Sequence, residues 1–189
     1  MKTTATLLAL LLTLPLAASD AKPSPSASYF ADLKLVDQDG KSVDLYSLMQ
    51  GRTIVMHSFF ATCVASCPIM TKTLSAVQER FADHVGKDLV LVSITVDPAN
   101  DTPAKLKAYA RSMNAKPGWY FLTGTKAQVD AALRKIGQYA EGRDNHTNIL
   151  LIGNDRTGLW KKAFGLAKTA EILPIVDSVL NDDGTQPAK

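Results

Sequence analysis

Two apolar, β-prone runs constrain this chain more than any other feature: residues 53–60 (TIVMHSFF) and residues 89–96 (LVLVSITV). Runs with so little polar alternation belong to strands covered on both faces. Between them Met70, Leu74, Val77 and Phe81 are spaced by four, three and four, one face of a helix. After the second run, Asp101-Thr102-Pro103 signals a helix start, and Leu106, Ala110 and Met113 line its inner face. Residues 119–122 form a short strand, and Val129, Leu133 and Ile136 another helix face. A strand at 148–152, a turn at 154–158 and a returning strand at 159–164 follow. The last helix carries Ile172, Val176, Val179 and Leu180, with Pro174 tolerable only in its first turn or at a kink. Upstream, residues 33–36 and 42–45 flank an Asp39-Gly40 turn and predict a β-hairpin. Strands alternating with helices give an α/β fold, a mixed central sheet between helices. The closing antiparallel hairpin with a C-terminal helix is the thioredoxin-like arrangement.

The chain has 189 residues, 46% hydrophobic and 21% charged, enough for one domain with a sizeable core. That balance excludes collagenous, disordered and polytopic membrane chains. The net charge of +3 comes without a cluster of like charge, so no nucleic acid is expected as partner. Residues 1–19 have a basic start at Lys2, an apolar run of about ten residues and a small-residue end at Ala17, Ala18 and Ser19, the form of a secretory signal peptide. The run is shorter than the roughly 20 residues that span a bilayer, so cleavage is expected rather than anchoring. No cysteine lies nearby to carry a lipid. Residues 20–28 read as a flexible leader, 29–181 as the folded domain and 182–189 as a disordered tail.

Cys63 and Cys67 are the only cysteines, and they sit where a buried strand hands over to a helix. Partial positive charge at a helix start stabilises a thiolate. At a spacing of four, two sulfurs share one face of a helical turn and can close a disulfide or grip one metal ion. A structural disulfide is a poor explanation. Closing so short a loop contributes only about 2 kcal/mol of unfolded-state entropy, against about 4.7 for a 100-residue loop. Redox chemistry or metal binding is the better reading. Two thiolates make a soft site that suits copper(I), with zinc also possible. A histidine is the natural third ligand. His84 lies in a polar stretch and reads as solvated. His57 lies inside a strand and reads as a core or sheet-face residue. His146 lies in a loop just before a strand, where sites are carried.

Four stretches resemble the SCO/SenC family, thioredoxin-like copper proteins that assist assembly of cytochrome c oxidase. They are SFFATCVASCP (58–68), SITVDPANDTPAKLKAYA (93–110), WYFLTG (119–124) and NHTNILLIGNDRTG (145–158). The resemblance runs from about residue 30 to 180. It implies a copper site of Cys63, Cys67 and His146, and delivery of copper to the binuclear CuA centre of the oxidase, reduction of that centre's cysteines, or both. The implied partners are the CuA-bearing subunit and a periplasmic thiol reductant. The protein is then exported to the periplasm and soluble once cleaved, meeting the membrane only through partners. The chain departs from the family pattern at Phe59, Ala61 and Val64, where glycine, threonine and proline are usual. These changes touch the cysteine loop and motivate an alternative in which Cys63 and Cys67 act without copper as a thiol–disulfide oxidoreductase. Cys63, expected to be the more exposed, then attacks and Cys67 resolves. Asp97 and Asp101 match the family's VDP…DTP stretch and read as turn-making and helix-capping residues.

Overall fold

The computed structural model describes residues 24–185. The expected signal peptide, residues 1–19, lies outside the described residues. Seven strands and six helices follow in the order α1 (Pro25–Tyr29), β1 (Lys34–Val36), β2 (Ser42–Asp44), α2 (Leu45–Met49), β3 (Thr53–Phe59), α3 (Cys67–Arg80), β4 (Leu89–Thr95), α4 (Pro103–Ser112), β5 (Trp119–Leu122), α5 (Lys126–Lys135), β6 (Ile149–Asn154), β7 (Leu159–Phe164) and α6 (Thr169–Leu180). A single 3-10 turn, Arg143–Asn145, interrupts the passage from α5 to β6.

The sheet runs β5-β4-β3-β6-β7. β3 pairs parallel to β4, and β4 parallel to β5. β6 is antiparallel to β3, and β7 antiparallel to β6. Every residue of β3 and β4 is buried, the reason their sequences show no polar alternation. Val55 and Phe59 face one core with Leu74 and Val77 of α3, Leu106 of α4 and Val176 of α6. Ile54 and Met56 face the other with Leu45 of α2 and Val129 of α5. The mixed sheet sandwiched by helices is the expected thioredoxin-like fold, with β1 and β2 as the N-terminal antiparallel hairpin.

Three details differ from expectation, and a fourth narrows it. The chain is ordered before residue 29: α1 forms within the expected leader, Ser26 is buried, and the Ser24 hydroxyl donates to Asp155 Oδ1. α2 follows β2 directly. Asp44 caps it by accepting from the Ser47 N–H, and Leu45, Leu48 and Met49 are buried. Pro174 lies beyond the first turn of α6, where it cannot donate back to the Ala170 carbonyl. Finally, Thr102, not Asp101, caps α4 by accepting from the Lys105 N–H.

Parallel β3 and β4 end on the same edge of the sheet, and antiparallel β6 begins there. That edge carries the cysteine loop after β3, residues 96–102 after β4 and the loop before β6. Connections at this end of a sheet are where α/β folds build sites.

Candidate metal and dithiol site

Cys63 lies in the loop after β3, and Cys67 is the first residue of α3. The two do not share a helical turn, yet the loop folds Cys63 back toward the helix start. His146 follows the 3-10 turn, in extended backbone at φ −61° and ψ 150°. The two sulfurs and a histidine ring nitrogen lie within 4.8 Å of one another, although Cys67 and His146 are 79 positions apart. Cys67 Sγ stands 3.4 Å from His146 Nε2. The other ring nitrogen, Nδ1, donates to the Thr147 carbonyl at 3.3 Å. In the neutral ring that bond places the proton on Nδ1 and leaves the Nε2 lone pair directed at the sulfurs. Tetrahedral bonds of about 2.0–2.3 Å separate donors by about 3.3–3.8 Å, so small adjustments bring these three onto one soft ion.

The two thiols differ. Cys63 is half-buried and Cys67 fully buried. Partial burial of Cys63 disfavours its thiolate, but hydrogen bonds from the Cys67 thiol and from the backbone N–H groups of Cys67, Ala65 and Ser66 outweigh it. Its pKa falls below the ordinary 9.0. Burial of Cys67, aided by the hydrogen bond it gives to Cys63, pushes its thiol up to about 12. The helix start alone suggested a lowered value for a cysteine there; desolvation wins at Cys67. The arrangement sets a half-buried thiol of lowered pKa beside a buried thiol that keeps its proton.

The other histidines stand where expected. His57 is buried in β3, its Nε2 2.8 Å from Ser93 Oγ. His84 pairs with Asp88 at 3.0 Å, and both side chains are more than 40% exposed.

Several residues around the site escaped sequence reasoning. Phe60 meets the His146 ring edge-on at 5.6 Å and walls it from the core. The Arg143 guanidinium also lies over the Phe60 ring, 5.3 Å from its centroid. The Tyr109 hydroxyl is 3.1 Å from Thr71 Oγ1. Burial raises the Tyr109 pKa, and nearby negative charge on Cys67 and Cys63 adds to the rise. Asp101 is fully buried. Its Oδ2 accepts from the Ala61 N–H at 3.0 Å and the Thr95 hydroxyl at 2.6 Å, fastening the cysteine loop to the end of β4. The one available signal was its place in the SITVDPANDTP stretch.

A paired thiol site at a strand-to-helix junction, on a mixed sheet flanked by helices, defines a thioredoxin-like dithiol protein with an adjoining imidazole. The chain belongs to the SCO1/SenC family, whose sequence profile matches residues 21–171. It is 31% identical over 129 residues to the SCO1 protein homolog of Bacillus subtilis, a match covering 63% of this chain and 65% of the relative. The matches span 54–65% of the length of four curated relatives. Among solved structures, BsSco, a Sco-family cytochrome c oxidase assembly protein in which a disulfide switch was identified, superposes with a TM-score of 0.64. Identity is 26%, over 77% of this chain and 90% of BsSco. Copper-bound ScoI of Bradyrhizobium japonicum also has a TM-score of 0.64, at 24% identity over 78% and 96% of the two chains.

Proposed function

We propose that this chain carries copper, held by the thiolates of Cys63 and Cys67 and by Nε2 of His146, and passes it to thiolates of a partner by ligand exchange. The observation that carries the reading is the convergence of those three donor atoms within 4.8 Å. Binding must displace the proton from buried Cys67, so uptake strengthens as pH rises. His146, with Nδ1 engaged by the Thr147 carbonyl, needs no reorientation to offer Nε2. The partner is the CuA-bearing subunit of cytochrome c oxidase, and the setting is the periplasm after removal of residues 1–19. Copper-bound relatives from Arabidopsis thaliana, Bradyrhizobium japonicum and yeast, and the oxidase-assembly role attached to BsSco, support this reading. Among the described residues no helix is long and apolar enough to cross a membrane. Copper(I) titration of the reduced protein in competition with a chromogenic chelator tests the site. The His146→Ala variant is expected to lose copper to the chelator at least about tenfold more readily, in line with loss of one ligand interaction. Equal retention by the two proteins would overturn the three-ligand site.

The contrast between the two thiols favours a second activity at the same place. The Cys63 thiolate attacks a client disulfide and forms a mixed disulfide, releasing one client thiolate. Cys67 then gives up its proton and attacks the Cys63 sulfur. The second client thiol leaves, and a Cys63–Cys67 disulfide forms, two electrons having passed to the client. A periplasmic thiol reductant resets the pair. The disulfide cannot ligate copper, so redox state governs metal uptake. With Cys67→Ala a client should remain trapped on Cys63; no trapped species in oxidising export conditions would count against this activity.

A further inference from the structure

The segment that carries His146 is tied to the fold at few points. Among the described residues, a single side-chain hydrogen bond or ion pair runs from residues 141–145 to another part of the molecule. It joins Arg143 Nη1 to Asp97 Oδ2 at 2.8 Å. The segment's other bonds and ion pairs are internal: Arg143 Nε to Asp144 Oδ1 at 3.7 Å, Asn145 Nδ2 to the Glu141 carbonyl at 2.9 Å, the Asn145 N–H to the Gly142 carbonyl at 3.3 Å, and the His146 N–H to the Arg143 carbonyl at 3.4 Å. They shape the arm without fastening it.

Asp97, in contrast, is firmly held. Its N–H donates to Thr95 Oγ1 at 2.9 Å, and Asn100 Nδ2 donates to both its carboxylate oxygens, at 2.9 and 3.0 Å. The N–H groups of Asn100 and Asp101 donate to its carbonyl at 3.0 and 2.9 Å. Four residues on, in the same loop, Asp101 holds the Ala61 N–H and with it the cysteine loop. One short loop after β4 therefore grips the cysteine side of the site through Asp101 and the histidine side through Asp97. Arg143 also covers Phe60, the residue against which the His146 ring packs.

We propose that Arg143 and Asp97 are positioning residues that clamp the histidine arm over the cysteine pair, and that release of this pair converts the three-ligand copper site into an open dithiol. The proposal rests on the copper reading for its consequence, and on the arm's geometry alone for its mechanism. The Arg143 side chain is 46% exposed and the Asp97 side chain 10%. An ion pair of that kind shifts an equilibrium modestly, by about three- to tenfold. That is the range a switch needs if a docking partner is to reverse it.

Two measurements test this separately. In the reduced, metal-free protein, Arg143→Ala should speed amide hydrogen exchange across residues 143–148 by about three- to tenfold. Arg143→Lys should restore at least half of the protection, and exchange in β3 and β4 should not change. Raised salt should speed wild-type exchange in the arm and leave Arg143→Ala unaffected. Unaltered arm exchange in Arg143→Ala overturns the clamp whatever copper does. In the chelator competition, Arg143→Ala should release copper about three- to tenfold more readily than wild type. Adding it to His146→Ala should change nothing further, because it acts through that ring. Multiplying effects would overturn the proposed route. If His146→Ala itself holds copper like wild type, the copper reading fails, and arm exchange alone then decides the clamp.

Discussion

The unequal thiols give the sharpest quantitative expectation. At pH 8 a thiol at about 12 is ionised to only about one part in ten thousand, whereas a thiol below 9.0 is ionised to at least about 9%. Ionisation alone therefore favours Cys63 by about a thousandfold. Part of that advantage is returned, because a more basic thiolate is a better nucleophile. With a Brønsted slope of about 0.4–0.5, three pKa units give back about 15- to 30-fold. With Cys63 taken at the 9.0 limit the net preference is about thirtyfold, and full burial of Cys67 against half-burial of Cys63 widens it. Pulse alkylation of the reduced, metal-free protein with iodoacetamide, mapped by mass spectrometry, measures the two rates directly. Cys63 should be modified first, and the midpoint of its pH–rate profile should fall below that of an ordinary thiol. Cys67 should stay slow even in Cys63→Ala, because burial is the largest cause of its shift. If the two cysteines of the wild type react within threefold of each other, the assignment of attacking and resolving roles is wrong.

Three further outcomes follow from other parts of the fold. Burial, with a smaller contribution from the charge of His146, lowers the His57 pKa to about 3 from 6.5. The unfolded chain thus binds the extra proton, and stability present above about pH 6.5 is lost as pH falls toward 3; urea unfolding should give about 2 kcal/mol less at pH 5 than at pH 7, a difference that His57→Gln removes. Asp101→Ala strands the Ala61 N–H and the Thr95 hydroxyl, and should cost about 2–4 kcal/mol in urea unfolding while speeding alkylation of Cys67; Asp101→Asn, which keeps an acceptor, should recover most of both. Gly118 has φ +98°, and a Cβ there would press on the backbone of Gly86, so Gly118→Ala should cost about 2 kcal/mol or more in the same assay, and an unchanged midpoint would refute the close approach.

Much of the fold was legible in the chain because its strongest signals are local. β3 and β4 are long apolar runs, and the inner faces of α3, α4, α5 and α6 repeat at helical spacing, so each element shows itself without knowledge of its neighbours. α1 and α2 were missed for the opposite reason. Each has five residues, too few for a period, and each is held by contacts distant in the chain, such as Ser24 to Asp155. The cysteine pair was visible from spacing and placement, and His146 from its loop before a strand.

Sequence alone determined the α/β architecture, the dithiol and the short set of histidines that could join it, since these depend on residue type and near-neighbour order. Tertiary structure decided the rest. Burial set which thiol is reactive, because desolvation depends on what surrounds a sulfur and not on the residues beside it in the chain. Chain reversal at β6 brought His146 back to the edge where β3 and β4 end, closing 79 positions to 3.4 Å. Asp97 and Asp101 took on opposite halves of the site because the loop after β4 lies between them, a relation that distance through space creates and sequence separation conceals.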